Sequence, residues 1–189
     1  SSSLKHVAKI SPVIDKGIMG LDAFTVKNLE IFQSLSSQGI HGTLIECLDI
    51  TQTSSGGRLL RKWLINPSTD LKQIELRHNI VEAFTKEKLL LKFFRKSLSG
   101  ISDLQRILGK INKAKATPRE IYAIASTLGK IPEWKNKLLK TNIKHLNDLS
   151  RIFQDSKKIV KNIFDNINQD APANLSQGSI VKNGVDEEL

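Results

Sequence analysis

The sequence predicts an all-α fold: a multi-helix bundle that ends in a short extended C-terminal tail. Apolar residues recur at three- and four-residue spacing through much of residues 22–170, the period of a helix with one buried face. Helix-start residues stand ahead of these runs, at Asp22, Asp70, Ser102 and Thr117. β-prone character comes late, in the short run Ser179-Ile180-Val181 with an Asn183-Gly184 turn signal after it.

The elements follow in order. Residues 1–21 read as an irregular entry, because Pro12 and two glycines interrupt any period. Asp22 caps a helix through LDAFTVKNLEIF, SSQGIHG is a loop, and TLIECLDI is a short helical element. In LLRKWL, Leu59, Leu60, Trp63 and Leu64 share one face while Arg58, Arg61 and Lys62 share the other. Pro67 stops that helix. Asp70 with Gln73 opens the next in capping-box fashion, running to about Phe84, and KEKLLLKFFRK adds a further amphipathic turn or two. Ser102 with Gln105 is a second capping box, ahead of the stripe Leu104, Ile107, Leu108 and Ile111. Thr117, Pro118 and Glu120 combine a cap, a first-turn proline and an acidic reciprocal partner. The helix they start buries Ile121, Ile124, Ala125 and Leu128 and breaks near Gly129 and Pro132. Two further stripes are Ile143, Leu146, Leu149 and Phe153, then Ile159, Val160, Ile163, Phe164 and Ile167. The domain layout is therefore 1–21 entry, 22–170 helical core and 171–189 extended tail.

Composition narrows the function. At 39% hydrophobic and 25% charged, the 189-residue chain reads as globular, with length enough for a core. No apolar run approaches the roughly 20 residues of a membrane span, and no secretory leader is visible. The single cysteine, Cys47, has no intrachain partner and reads as a small buried hydrophobe, which favours a reducing, intracellular setting. The net charge of +10 is compatible with a nucleic-acid partner. Aromatics make up only 5% of the chain, poor material for base-stacking platforms. The basic runs KINKAKATPR and KKIVK fit a solvated helix face, and a phosphate-tracking face would show the same pattern.

A catalytic or cofactor constellation is not legible. A phosphate loop ending in Gly-Lys-Ser/Thr is missing, and His6, His41, His78 and His145 are scattered, never standing four apart with a carboxylate between. Asp103 and Arg106 stand three apart on one helix, a spacing suited to a modest ion pair. Site expectations are accordingly catalytic none, cofactor none and metal none. The stretch TSSGGRLLRKWLINP raises one question, because paired glycines before a basic helix could cradle an anion. The phosphate-binding lysine and hydroxyl are absent, so Gly56 and Gly57 read instead as permitting close backbone approach, with Leu60 and Trp63 as anchors of the helix.

Four segments in order resemble one family: IMGLDAFTVKNLEI, GTLIECLDITQTSSGGRLLRKWLINP, SDLQRILGKI with KATPREI, and GSIVKNGVDEEL, all preceded by LKHVAKI. Together they are similar to the first half of the discontinuous core, or lever, domain of MutS proteins of DNA mismatch repair. The resemblance covers nearly the whole chain. It makes Gly56, Gly57, Arg58, Leu60, Trp63, Pro67, Asp103, Leu104 and Arg106 structural signature residues. Ser55 and Gly20 depart from it, since larger residues are common at both places in the family.

The resemblance implies a role in coupling an ATPase domain to a DNA-binding clamp, with ATP and magnesium bound elsewhere in the parent protein. It implies mismatched duplex DNA, MutL and a second copy of the parent as partners. The location implied is cytoplasmic in a bacterium and nuclear in a eukaryote. A second branch of the family shares this core but lacks the mismatch-reading domains; the entry segment and ATPREI look more like true MutS. The competing class is an autonomous basic helical module that itself binds nucleic acid. A core cut at this point would also expose apolar faces and self-associate.

Overall fold

The computed structural model describes residues 17–172, 178–182 and 184–185. Within them run ten helices: α1 (Ala23–Asn28), α2 (Leu44–Leu48), α3 (Ser54–Ile65), α4 (Leu71–Lys86), α5 (Lys88–Leu98), α6 (Leu104–Ile111), α7 (Pro118–Leu128), α8 (Ile131–Leu139), α9 (Lys144–Ser150) and α10 (Lys157–Asn166). The all-α class is thus what the chain adopts. Sheet-like pairing among the described residues consists of two isolated antiparallel bridges, Ile18 with Ser68 and Ile167 with Val181. The first ties the entry to the end of α3, where the Met19 N–H donates to Pro67 O at 2.8 Å and the Thr69 N–H to Gly17 O at 2.8 Å. The second folds the tail against the end of α10 through Asn168 N–H to Ile180 O and Lys182 N–H to Asn166 O, both 2.9 Å. Residues 1–16 of the expected entry, and Asn183 of the expected turn, lie outside the described residues.

Most helix starts have a local cause. Asp22, Thr43 and Thr53 each accept the N–H three residues ahead, satisfying one of the orphan donors of a first turn. Thr117 and Glu120 form the full reciprocal box, with Pro118 in the first turn of α7. The other two expected boxes form differently. Asp70 accepts from the Lys72 N–H at 3.0 Å, and Gln73 turns outward to take a bond from Arg77. At α6 the cap is Asp103 rather than Ser102, and Gln105 is drawn to a distant arginine.

Three other expectations shift. The first helix ends at Asn28, because Glu30 adopts φ +46° and turns the chain before Ile31. Pro132 does not end a helix but sits in the first turn of α8, which the apolar spacing did not disclose. Cys47 is exposed, on the outer side of the short α2, whose buried residue is Ile45.

Interhelix packing concentrates in two groups. In one, α4 packs on α5 and α9, and α9 packs on α8; in the other, α7 packs on both α6 and α10. The first group holds the main core of Ala83, Leu90, Phe94, Trp134, Leu138 and Leu146. Phe94 is its centre, edge-on to Phe84 at 5.6 Å and to Phe93 at 5.3 Å, and tilted against Trp134 at 6.4 Å. The Trp134 indole N–H, which burial would otherwise strand, donates to Ser97 Oγ at 2.6 Å. The second group buries Ile107, Ile124 and Ala125, and sets Tyr122 against Phe164 at 4.9 Å with the rings tilted at 47°.

The groups meet along the chain at Gly129 and Lys130, which both keep right-handed helical φ/ψ, so α7 passes into α8 across a two-residue bend. Pro132 contributes to that bend by removing an N–H from the first turn of α8.

Trp134→Ala should cost about 3–5 kcal/mol in urea denaturation, since it opens a cavity beside Phe94 and removes the bond to Ser97. Thr117→Ala should cost about 1 kcal/mol by the same measurement, the usual loss of an N-cap.

Candidate functional site

The densest polar contacts converge on α3, which stands between the two packed groups. Its start is set by the preceding turn. Asp49 accepts the Thr51 hydroxyl at 2.6 Å, and Thr53 Oγ1 accepts the Gly56 N–H at 2.9 Å. A Cβ on Gly56 would lie 3.0 Å from Thr53 Oγ1, and one on Gly57 would lie 3.3 Å from Thr51 Oγ1 and 3.4 Å from Asp49 Oδ2. The glycines therefore admit the side chains of residues 49–53 across the first turn of α3. What approaches is this side-chain turn rather than another backbone, and the turn occupies the place an anion would need.

Arg58 projects from the second turn of α3 onto the N-terminus of α6. Its Nη1 donates to Asp103 Oδ2 at 2.7 Å and its Nη2 to Asp103 Oδ1 at 2.8 Å, a bidentate fork. Gln105 Oε1 accepts from both Nη2, at 2.8 Å, and Nε, at 3.2 Å. Ser55 Oγ accepts from Nη2 at 3.1 Å, so this serine takes part in the clasp. Asp103 also accepts the Arg106 N–H at 3.2 Å as the cap of α6. The expected Asp103–Arg106 ion pair is therefore replaced by a backbone cap, and the carboxylate pairs with Arg58 instead.

The electrostatics follow from these bonds. The Arg58 guanidinium, first, and then the Arg106 N–H hold the Asp103 carboxyl at about 2, well below the usual carboxylate range. Arg58 is raised in turn by the hydrogen bonds to Asp103. A second clamp joins α6 to α7, where Lys110 contacts Glu120 Oε1 while Glu120 Oε2 accepts the Thr117 N–H at 3.0 Å. Lys110 first, then that N–H, lowers Glu120.

The far end of α3 faces the other group. The Arg77 guanidinium of α4 lies 3.8 Å from the centre of the Trp63 ring. Arg61 lies over Phe32 at 5.4 Å, reaching back to the turn after α1. Trp63 is 40% exposed, so it serves as a platform for Arg77 rather than as the buried anchor its spacing suggested. Leu60 and Leu104 are half-buried, and Pro67 ends α3 and receives the Met19 N–H. Arg106 is exposed, with only its backbone in the clasp. Sequence reading missed Ser55, Arg77 and Gln105 as members of this assembly. Asp103 and Arg58 are 45 residues apart, and no local period links them.

Among the described residues no group of three or more His, Cys, Asp or Glu is placed to hold a metal ion. Their helices include none long and apolar enough to cross a membrane. His41 pairs with Glu46 at 3.1 Å on the surface.

The described residues form an all-α assembly in which polar side chains tie helices distant in sequence to one another. The family model for MutS domain III matches residues 24–188. The DNA mismatch repair protein MutS of Salinibacter ruber is 34% identical, over 99% of this chain and 21% of that protein. Those of Chlorobium chlorochromatii and Halothermothrix orenii are 32% and 33% identical, over 100% and 99% of this chain. The chain belongs to the MutS family and corresponds to its domain III. It spans about a fifth of the length of these curated relatives.

Two measurements test the site. Gly57→Leu should destabilise by about 1–3 kcal/mol in thermal unfolding, because the side chain must displace Thr51 and Asp49. The clasp also has a defined acid limit. Because folding lowers the Asp103 pKa, its contribution is complete above the ordinary carboxylate range and is lost as pH falls toward about 2. The stability difference between wild type and Arg58→Ala should therefore hold constant from pH 7 to about 5 and close between about 4 and 2.

Proposed function

We propose that this chain is the lever segment of a MutS-type mismatch repair protein, passing the nucleotide state of an ATPase domain to a DNA-binding clamp. The observation that carries the reading is the position of α3. It grips α6 of one packed group through the Arg58 fork and meets α4 of the other through Trp63 and Arg77, across the bend at Gly129. Two compact bodies joined by a short bend and bridged by a separate strut form an element that can hold discrete arrangements. Such an element is what coupling between distant sites requires.

On this reading residues 1–21 enter from the connector side, 22–170 form the lever, and 171–189 lead toward the clamp. The chemistry belongs to the parent, which binds ATP with magnesium in another domain, holds mismatched duplex DNA as a dimer and engages MutL. It works in the cytoplasm of a bacterium. Apolar side chains left on the outside are assigned to contacts with the rest of the parent, among them Phe24, 73% exposed, and Leu89, 84% exposed. The isolated chain should then self-associate as its concentration rises; a monomer at all concentrations in size-exclusion chromatography would count against that assignment.

The test of the lever is made in the full-length protein with Asp103→Asn, which weakens the fork and leaves every other domain intact. Mismatch binding and basal ATP turnover should stay near wild type, while DNA-stimulated turnover and ATP-induced release from a mismatch fall by about 2- to 30-fold. Wild-type coupling in this variant would sink the reading.

A further inference from the structure

The net charge of +10 is unevenly spread. Residues 104–119 hold five cations, Arg106, Lys110, Lys113, Lys115 and Arg119, and no acid, which amounts to half of the net charge in sixteen residues. In the fold this stretch is α6, the loop after it and the first turn of α7, a single elbow on the surface. The acids that flank it are already engaged: Asp103 is held by Arg58, and Glu120 by Lys110 and the Thr117 N–H.

Among the described residues neither Arg106 nor Arg119 has a carboxylate within 4 Å. Both arginines are exposed, and both line one cleft of about 480 Å³ between α6 and α7. A second cleft of about 310 Å³ continues from it along α7, sharing Ser102, Arg119 and Ala123 and adding Lys130. The result is a groove whose lining combines Arg106, Arg119, Lys110 and Lys130 with three acids. Of these, Asp103 is held by Arg58, Glu120 by Lys110, and Asp170 lines the second cleft, so that Arg106 and Arg119 are the cations left to face outward.

We propose that this elbow is a contact face for the phosphate backbone of duplex DNA, with Arg106 and Arg119 as the principal phosphate ligands. Charge complementarity selects the partner. Guanidinium forks match phosphate oxygens bidentately, and a duplex presents phosphates at the density that a continuous cationic groove can neutralise. Tyr122, which lines the second cleft, is half-buried and set against Phe164 rather than free to stack bases, so the contact reads backbone and carries no sequence preference. Within the lever reading, on which the choice of DNA rests, the groove adds a salt-sensitive hold on the duplex without itself forming a clamp.

The test is a fluorescence-anisotropy titration of this 189-residue chain with a labelled 20-base-pair duplex at several salt concentrations between 50 and 200 mM. The wild-type chain should bind at 50 mM salt with micromolar-range affinity that falls steeply as salt rises. Arg106→Gln with Arg119→Gln keeps the alkyl stems. It should weaken binding on the order of 10- to 100-fold at 50 mM salt and reduce the salt slope by about 2, with the circular-dichroism melt confirming the fold. Lys113→Gln with Lys115→Gln, in the exposed loop of the same elbow, should act in the same direction and serves should the arginine pair disturb folding.

Lys157→Gln with Lys158→Gln, on α10, removes the same charge elsewhere and should leave the slope nearly unchanged. Equal losses from the α10 pair would overturn the proposal, since binding would then follow net charge alone. An unchanged slope in the arginine variant, or no binding at 50 mM salt, would overturn it as well. Polyglutamate binding with the affinity and salt slope of the duplex would assign the face to an acidic protein and overturn it too. These outcomes are separate from the coupling assay in the full-length protein, where the lever reading can fail with the titration unaffected.

Discussion

The fork from Arg58 to Asp103 is the constraint on which the arrangement of α3 depends. One carboxylate performs two tasks, capping α6 through the Arg106 N–H and receiving the guanidinium of a helix 45 residues earlier. Docking of α3 and the start of α6 are therefore one event, because breaking the fork also removes a determinant of the Asp103 rotamer that caps α6. Gln105 and Ser55 complete the arginine's bonding, so its five hydrogen bonds reach four neutral or anionic oxygens. A lysine could supply the charge there but not the fork, since its ammonium has no planar pair of donors.

That geometry explains which parts of the fold were legible in sequence and which were not. Thr117, Pro118 and Glu120 lie within one turn, and every bond among them is local, so their pattern predicts the box that forms. Ser102 with Gln105 matches the same template and forms no box. Asp103 is the better cap by one position, and Gln105 finds a stronger partner in the guanidinium of α3. Gln73 is lost to Arg77, four residues on in the same helix. Local templates fail at positions where a guanidinium, near or distant in sequence, competes for the same oxygen.

The hydrophobic period has its own blind spot. Helix α8 is short, begins at a proline-bearing turn and buries Trp134 and Leu138 four residues apart, too brief a run to stand out from the break at Gly129. Yet Trp134 belongs to the main core with Phe94 and Leu146. Trp63 shows the converse. Its spacing with Leu60 suggests burial, but Arg77 supplies a cation above the ring and the indole stays 40% exposed. An aromatic at helical spacing reports that a face is engaged, not what engages it. Cys47 misleads for a related reason, since α2 is only five residues long and turns one side toward the core.

The two packed groups also differ in what holds them. The α4, α5, α8 and α9 group is an aromatic cluster whose rings meet edge-on, a dispersion-dominated contact that salt does not alter. The α6, α7 and α10 group buries fewer large side chains and is joined at its open end by Lys110 and Glu120. The strut between the groups is charged at its α6 end and cation–π in character at its α4 end. A hydrogen-bonded fork is directional, whereas a cation over a ring face fixes distance more than orientation. The two contacts sit five residues apart on one twelve-residue helix, so α3 is held in a set orientation against α6 and more loosely against α4.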